Sequence, residues 1–71
     1  MRAKHANRLE LILDTLNAAH QIQDMNFPGS GLHPLEPKKE ILWAVKVSGN
    51  WRVTFRFEDG DAYDVQYLDY Q

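Results

Sequence analysis

The chain has no cysteine in its 71 residues. That absence excludes a disulfide staple, a thiolate zinc site and a cysteine nucleophile. No apolar run approaches the ~20 residues a membrane-spanning helix needs, and the polar opening has no signal-peptide core. The cytoplasm is therefore the expected compartment. There is no excess of positive charge either. Eight Lys and Arg stand against ten Asp and Glu, a formal net charge of −2, which argues against holding nucleic acid by bulk charge alone. No glycine-rich phosphate loop, serine elbow or zinc signature is present. His5, His20 and His33 are too dispersed to imply a metal triad, and the spacing of Glu58, Asp59 and Asp61 matches no cation loop. No metal and no cofactor are expected.

What remains is an ordinary globular composition, 44% hydrophobic and 25% charged, long enough for one small domain. A core of this size supplies only ~3–5 kcal/mol of net stability, so a partner or self-association is expected on size alone.

The first segment, from about His5 to Ala19, has helical period. Leu9, Ile12, Leu13, Leu16 and Ala19 form one apolar stripe. Leu11 lies off it. Ile22 to Phe27 suggests a short turn, and Pro28-Gly29-Ser30-Gly31 ends regular structure. The second half changes to period two. Trp43, Val45 and Val47 alternate with small or polar residues. Trp51, Val53, Phe55 and Phe57 do the same, and so do Tyr63, Val65 and Tyr67. Ser48-Gly49-Asn50 and Glu58-Asp59-Gly60-Asp61 read as hairpin connections. The pattern predicts an α+β domain, an amphipathic helix packed on a three-strand antiparallel meander. The six aromatics Trp43, Trp51, Phe55, Phe57, Tyr63 and Tyr67 share the apolar parity and are expected in the core.

Charge is uneven along the chain. Residues 1–40 balance five basic groups with five acidic ones, while residues 41–71 carry three basic and five acidic. Those three, Lys46, Arg52 and Arg56, all take the polar parity of the strands. Guanidinium groups bind phosphate bidentately, so this face suits an RNA backbone despite the negative total. A solvated face with cross-strand pairs to Asp64 accounts for the same pattern. His33 lies in Leu32-His33-Pro34-Leu35, where Pro34 restrains it to extended geometry. Its ordinary titration range suits general acid–base work near neutrality, and a loop histidine bonded to a backbone carbonyl is the simpler alternative.

Five pieces in order carry more information than any one. They are Leu32-His33-Pro34-Leu35, Trp43-Ala44-Val45-Lys46-Val47, Asn50-Trp51-Arg52-Val53-Thr54-Phe55, Asp59-Gly60-Asp61-Ala62-Tyr63 and Asp69-Tyr70. Together they resemble the HigB toxins, or plasmid maintenance killer proteins, of the RelE superfamily, over about Asn7 to Gln71. The resemblance implies a RelE-like fold and a metal-independent, ribosome-dependent messenger RNA endonuclease. It also implies neutralisation by a HigA-type antitoxin, with operator DNA reached only through that antitoxin. By the same resemblance His33, Arg52, Asp69 and Tyr70 are the catalytic group; Lys46 and Arg56, from the basic strand face, and Lys38 and Lys39, neither of them at the position of the family's lysine, are expected along the RNA. Glu36 stands where the family commonly has a lysine, and Gln71 where it commonly ends in histidine. Family members usually open with a further strand and helix, so residues 1–71 read as one RelE/HigB-like toxin domain lacking them. Those departures leave a second reading, a weakened or inactive relative that binds antitoxin or associates with itself.

Overall fold

A computed structural model describes residues 3–35 and 41–69. Helix α1 spans Ala3–Ala18, followed by a 3-10 turn at Ile22–Met25. Four strands follow: β1 at His33–Pro34, β2 at Leu42–Ser48, β3 at Trp51–Glu58 and β4 at Asp61–Asp69. They form one antiparallel sheet in the order β1-β2-β3-β4.

The sheet has four strands where three are expected from the sequence. The additional strand is two residues long and one of them is proline, so no alternation announces it. Proline lacks an N–H to donate and is confined to sheet edges, which is where β1 lies.

One face of α1 and one face of the sheet make the core. Ile12, Leu16 and Ala19 from the helix side meet Val45, Val47, Val53 and Phe55 from β2 and β3, with Met25 closing one end. Leu9, Ile22, Trp43, Trp51, Phe57 and Tyr67 pack around this centre. Trp51 and Tyr67 stack across β3 and β4 with ring centroids 4.7 Å apart. Leu13 does not join the stripe as the period predicts. It lies at the margin of the helix face and stays 41% exposed, because the buried stripe runs through Ile12, Leu16 and Ala19 and no described element covers its flank.

Tyr63 is a second departure. Thr54 pairs with Gln66, but Arg56 pairs with Tyr63, so the register slips by one residue between them. Asp64 takes the left-handed conformation (φ 53) at that point. Such a bulge places two residues against one and turns Tyr63 onto the face of Arg56, opposite to its expected parity. Tyr63 is accordingly exposed, with the Arg56 guanidinium 5.7 Å from its ring centroid. The β3–β4 hairpin closes through Asp59 (φ 52) and Gly60 (φ 80). Positive φ at both central residues is the demand of a type I′ turn, which Asp-Gly meets.

The loop between the 3-10 turn and β1 is pinned rather than loose. The Arg8 guanidinium donates to the Gly29 carbonyl at 2.7 Å and lies over the Phe27 ring. The Lys46 amide donates to the Ser30 carbonyl at 2.7 Å. These bonds fix the approach to His33.

Candidate active site on the outer sheet face

Residues directly opposite in an antiparallel pair project from the same face. The register therefore assigns the sheet face turned away from α1. One row runs Lys46, Arg52, Leu68; the next runs His33, Ala44, Thr54, Gln66; a third runs Leu42, Arg56, Tyr63. Rows on one face lie about 7 Å apart, two residues along a strand. Ala44 and Thr54 are buried on this face, so the middle row is a low floor between taller side chains. A concavity of about 380 Å³ opens over it, lined by Leu42, Thr54, Arg56, Gln66 and Leu68 among others.

His33 stands exposed at the β1 end of the floor. Its Nδ1 lies 2.9 Å from the Gly31 carbonyl oxygen. A carbonyl only accepts, so Nδ1 carries the proton and the neutral ring keeps its lone pair on Nε2. The simple alternative, a loop histidine bonded to a carbonyl, is thus met by one ring nitrogen and leaves the other for chemistry.

Arg52 is half-buried, and its Nη1 donates to Gly49 O at 2.6 Å and Trp51 O at 3.0 Å. Both acceptors are neutral. The guanidinium keeps its full charge, with Nη2 and Nε left to donate. Lys46 is exposed directly across from it. Neither side chain has an ion-pair partner among the described residues. Arg56 differs. It pairs with Glu58 at 3.0 Å and Asp64 at 3.3 Å, so two carboxylates already answer its charge.

The structure brings His33, Lys46, Arg52 and Arg56 to one face. It does not bring Asp69 there by register. Asp69 pairs with Trp51, whose parity is that of the core, while Leu68 pairs with Arg52. Lys38, Lys39 and Tyr70, with Glu36 and Gln71, lie outside the described residues. Thr54, Gln66 and Tyr63 are the members of this face that sequence reasoning missed. Alternation alone gives Thr54 and Gln66 a polar parity without value, and no residue type marks the bulge that moves Tyr63. No group of three or more His, Asp or Glu among the described residues is placed to hold a metal ion. No helix among them is long and apolar enough to cross a membrane.

The comparisons with known proteins agree with this architecture. The family model for the RelE-like toxin of type II toxin–antitoxin system HigB matches residues 1–71. Endoribonuclease HigB of Proteus vulgaris is 38% identical over 68 residues, which is 96% of this chain and 74% of that protein. A full-length family match and a relative at that identity fix the membership: the chain belongs to the HigB-like family of RelE-like toxins, whose type II systems supply an antitoxin as partner.

Proposed function

We propose that this toxin is a messenger RNA endonuclease that works on the ribosome, in the cytoplasm, and uses the outer sheet face. The observation that carries the reading is the Lys46–Arg52 pair. Two cations face each other across neighbouring strands, on the face of His33, without a carboxylate among the described residues to neutralise them. Like charges directly opposite destabilise a sheet, and a polyanion lying across them removes that penalty. The endoribonuclease relative favours an active enzyme over an antitoxin-binding module without activity.

The reaction is attack of a ribose 2′-hydroxyl on the adjacent phosphate with departure of the 5′-oxygen. The 2′-proton goes to a base, the leaving oxygen takes a proton, and a 2′,3′-cyclic phosphate remains. His33 is assigned the proton transfer through Nε2, held in the required tautomer by Gly31. Arg52 is assigned the developing phosphorane charge. Its Nη1 bonds to Gly49 and Trp51 fix the fork before substrate arrives, so little reorganisation is needed. Lys46 and Arg56 follow the RNA backbone, Arg56 more weakly because Glu58 and Asp64 share it. Lys38 and Lys39 are assigned to the same strand of RNA. Asp69, which follows Leu68 (the partner of Arg52) in β4 with its parity toward the core, and Tyr70, next in sequence, are assigned to complete the site. A HigA-type antitoxin would neutralise the toxin and carry any contact with operator DNA.

Primer extension on messages in a translating extract tests the proposal. The parent chain should give discrete cuts in ribosome-bound message. His33→Gln should slow them by ~10²–10⁴-fold, the usual worth of a positioned acid–base group. Unchanged cutting in that variant, or none by the folded parent, would sink the assignment.

A further inference from the structure

His33 owes its tautomer to a carbonyl in a loop that its own residues leave free. Gly29 and Gly31 flank Ser30, and both take positive φ, 84 and 57. Glycine populates either sign of φ about equally, so neither residue holds the Gly31 carbonyl in place by preference. The bond between His33 Nδ1 and that oxygen is 2.9 Å long and exposed, where water competes for the same groups. The carbonyl serves the ring only while the loop keeps it still.

Three bonds do so. The Ser30 amide donates to the Phe27 carbonyl at 3.0 Å. With Pro28 second and Gly29 third, that bond meets the demands of a type II turn. The Lys46 amide of β2 donates to the Ser30 carbonyl at 2.7 Å. Arg8 Nη2 donates to the Gly29 carbonyl at 2.7 Å, with the guanidinium 5.6 Å from the Phe27 ring centroid. The first two are backbone bonds. The third belongs to a side chain of α1, and it fits closely, because a Cβ on Gly29 would lie 2.9 Å from Arg8 Nη2. A Cβ on Gly31 would meet nothing nearer than the Lys46 Cβ at 3.7 Å, so the tight contact is on the Arg8 side.

Helix α1 packs on the core face of the sheet, whereas His33 shares the row of Ala44 on the outer face. Arg8 is therefore not placed to touch RNA. We propose that Arg8 is a positioning residue for cleavage. It holds the Gly29–Gly31 segment so that the Gly31 carbonyl keeps the proton on His33 Nδ1 and leaves the Nε2 lone pair for the substrate. This rests on the assignment of proton transfer to His33 and extends it to a residue outside the outer sheet face.

Two readings on the free chain and its variants test it. Ring nitrogen-15 shifts of neutral His33, recorded without RNA, report which nitrogen carries the proton, and the parent should show the Nδ1–H form. Single-turnover cutting of ribosome-bound message gives the rate. Arg8→Met keeps a long apolar stem and loses the donor. It should move His33 toward the Nε2–H form and slow cutting by up to ~10²-fold, the cost of a small misplacement imposed from outside the site. The ribosome concentration at half-saturation should stay at the parent value. Gly29→Ala reaches the same bond from the other side by crowding Nη2, should shift the ring likewise, and decides the matter if Arg8→Met does not fold. The proposal is overturned if neither reading moves in the folded variants, or if one moves without the other. An unmoved tautomer places the failure in Arg8. A moved tautomer with unchanged cutting, joined by unchanged cutting in His33→Gln, places it in the proton-transfer assignment.

Discussion

Lys46 and Arg52 oppose each other across β2 and β3, an arrangement that by itself costs the sheet roughly 0.2–1 kcal/mol. Replacing Lys46 by Gln should therefore raise the urea midpoint slightly while weakening the hold on RNA. Arg52 cannot be exchanged so simply. Its planar fork meets Gly49 O and Trp51 O and still presents donors outward. Lysine is a point charge on a flexible stem and cannot do both. Arg52→Ala is expected to lower single-turnover cleavage by ~10²–10³-fold, the usual cost of one preorganised oxyanion donor, and Arg52→Lys to recover little of it. Arg56→Ala should stay near the parent rate, since Glu58 and Asp64 already hold that charge. Equal losses at both positions would mean that ion pairing does not separate the two arginines.

Asp24 gives the clearest pH dependence at this scale. Backbone amides of His20 and Gln21 donate to its Oδ2 at 2.9 and 3.1 Å, and these bonds hold its carboxyl below the ordinary aspartate range. The depressed folded value means that the contribution is complete above the unfolded pKa. It is lost as pH falls through the folded one. The 3-10 turn at Ile22–Met25 should loosen only under acid, below ~pH 4. Amide shifts of His20 and Gln21 followed by NMR should move together with the Asp24 carboxyl; movement near neutrality would contradict this capping role.

At the scale of elements, the hairpins carry the most exacting demands. Gly60 has φ 80, and a Cβ there would lie 3.2 Å from the His20 carbonyl oxygen. Gly60→Ala should cost about 1–2 kcal/mol from the left-handed backbone alone, more if the 3-10 turn cannot yield, as read from denaturant unfolding. Much of this layer was legible in the sequence. Helix α1, the hairpin at Asp59-Gly60 and strands β2 to β4 follow from period and turn residues. Strand β1 was not, because two residues have no period. Nor was the Asp64 bulge, since the slip arises from pairing with β3 and leaves the alternation of Tyr63, Val65 and Tyr67 untouched. The site was legible where it depends on parity, as for Lys46, Arg52 and Arg56. It was obscure where it depends on partners: the sequence cannot say that Arg56 is answered and that, among the described residues, Arg52 is not.

The whole molecule has little stability to spare. A core of this size yields ~3–5 kcal/mol net, and it centres on Phe55, which is fully buried beside Ile12, Val45 and Val53. Removing a buried phenylalanine to alanine costs ~3–5 kcal/mol, so Phe55→Ala should leave the isolated chain unfolded at 25 °C. A partner that binds only the folded form works in the opposite direction. At one hundred times its Kd it contributes ~2.7 kcal/mol, which for a domain near this length shifts Tm by about 10–20 °C. The milder Phe55→Leu variant therefore separates the two contributions. Alone it should melt well below the parent, and with antitoxin in excess it should regain most of that loss in circular dichroism melts. If instead the antitoxin raises Tm of neither variant nor parent, folding and neutralisation are not coupled.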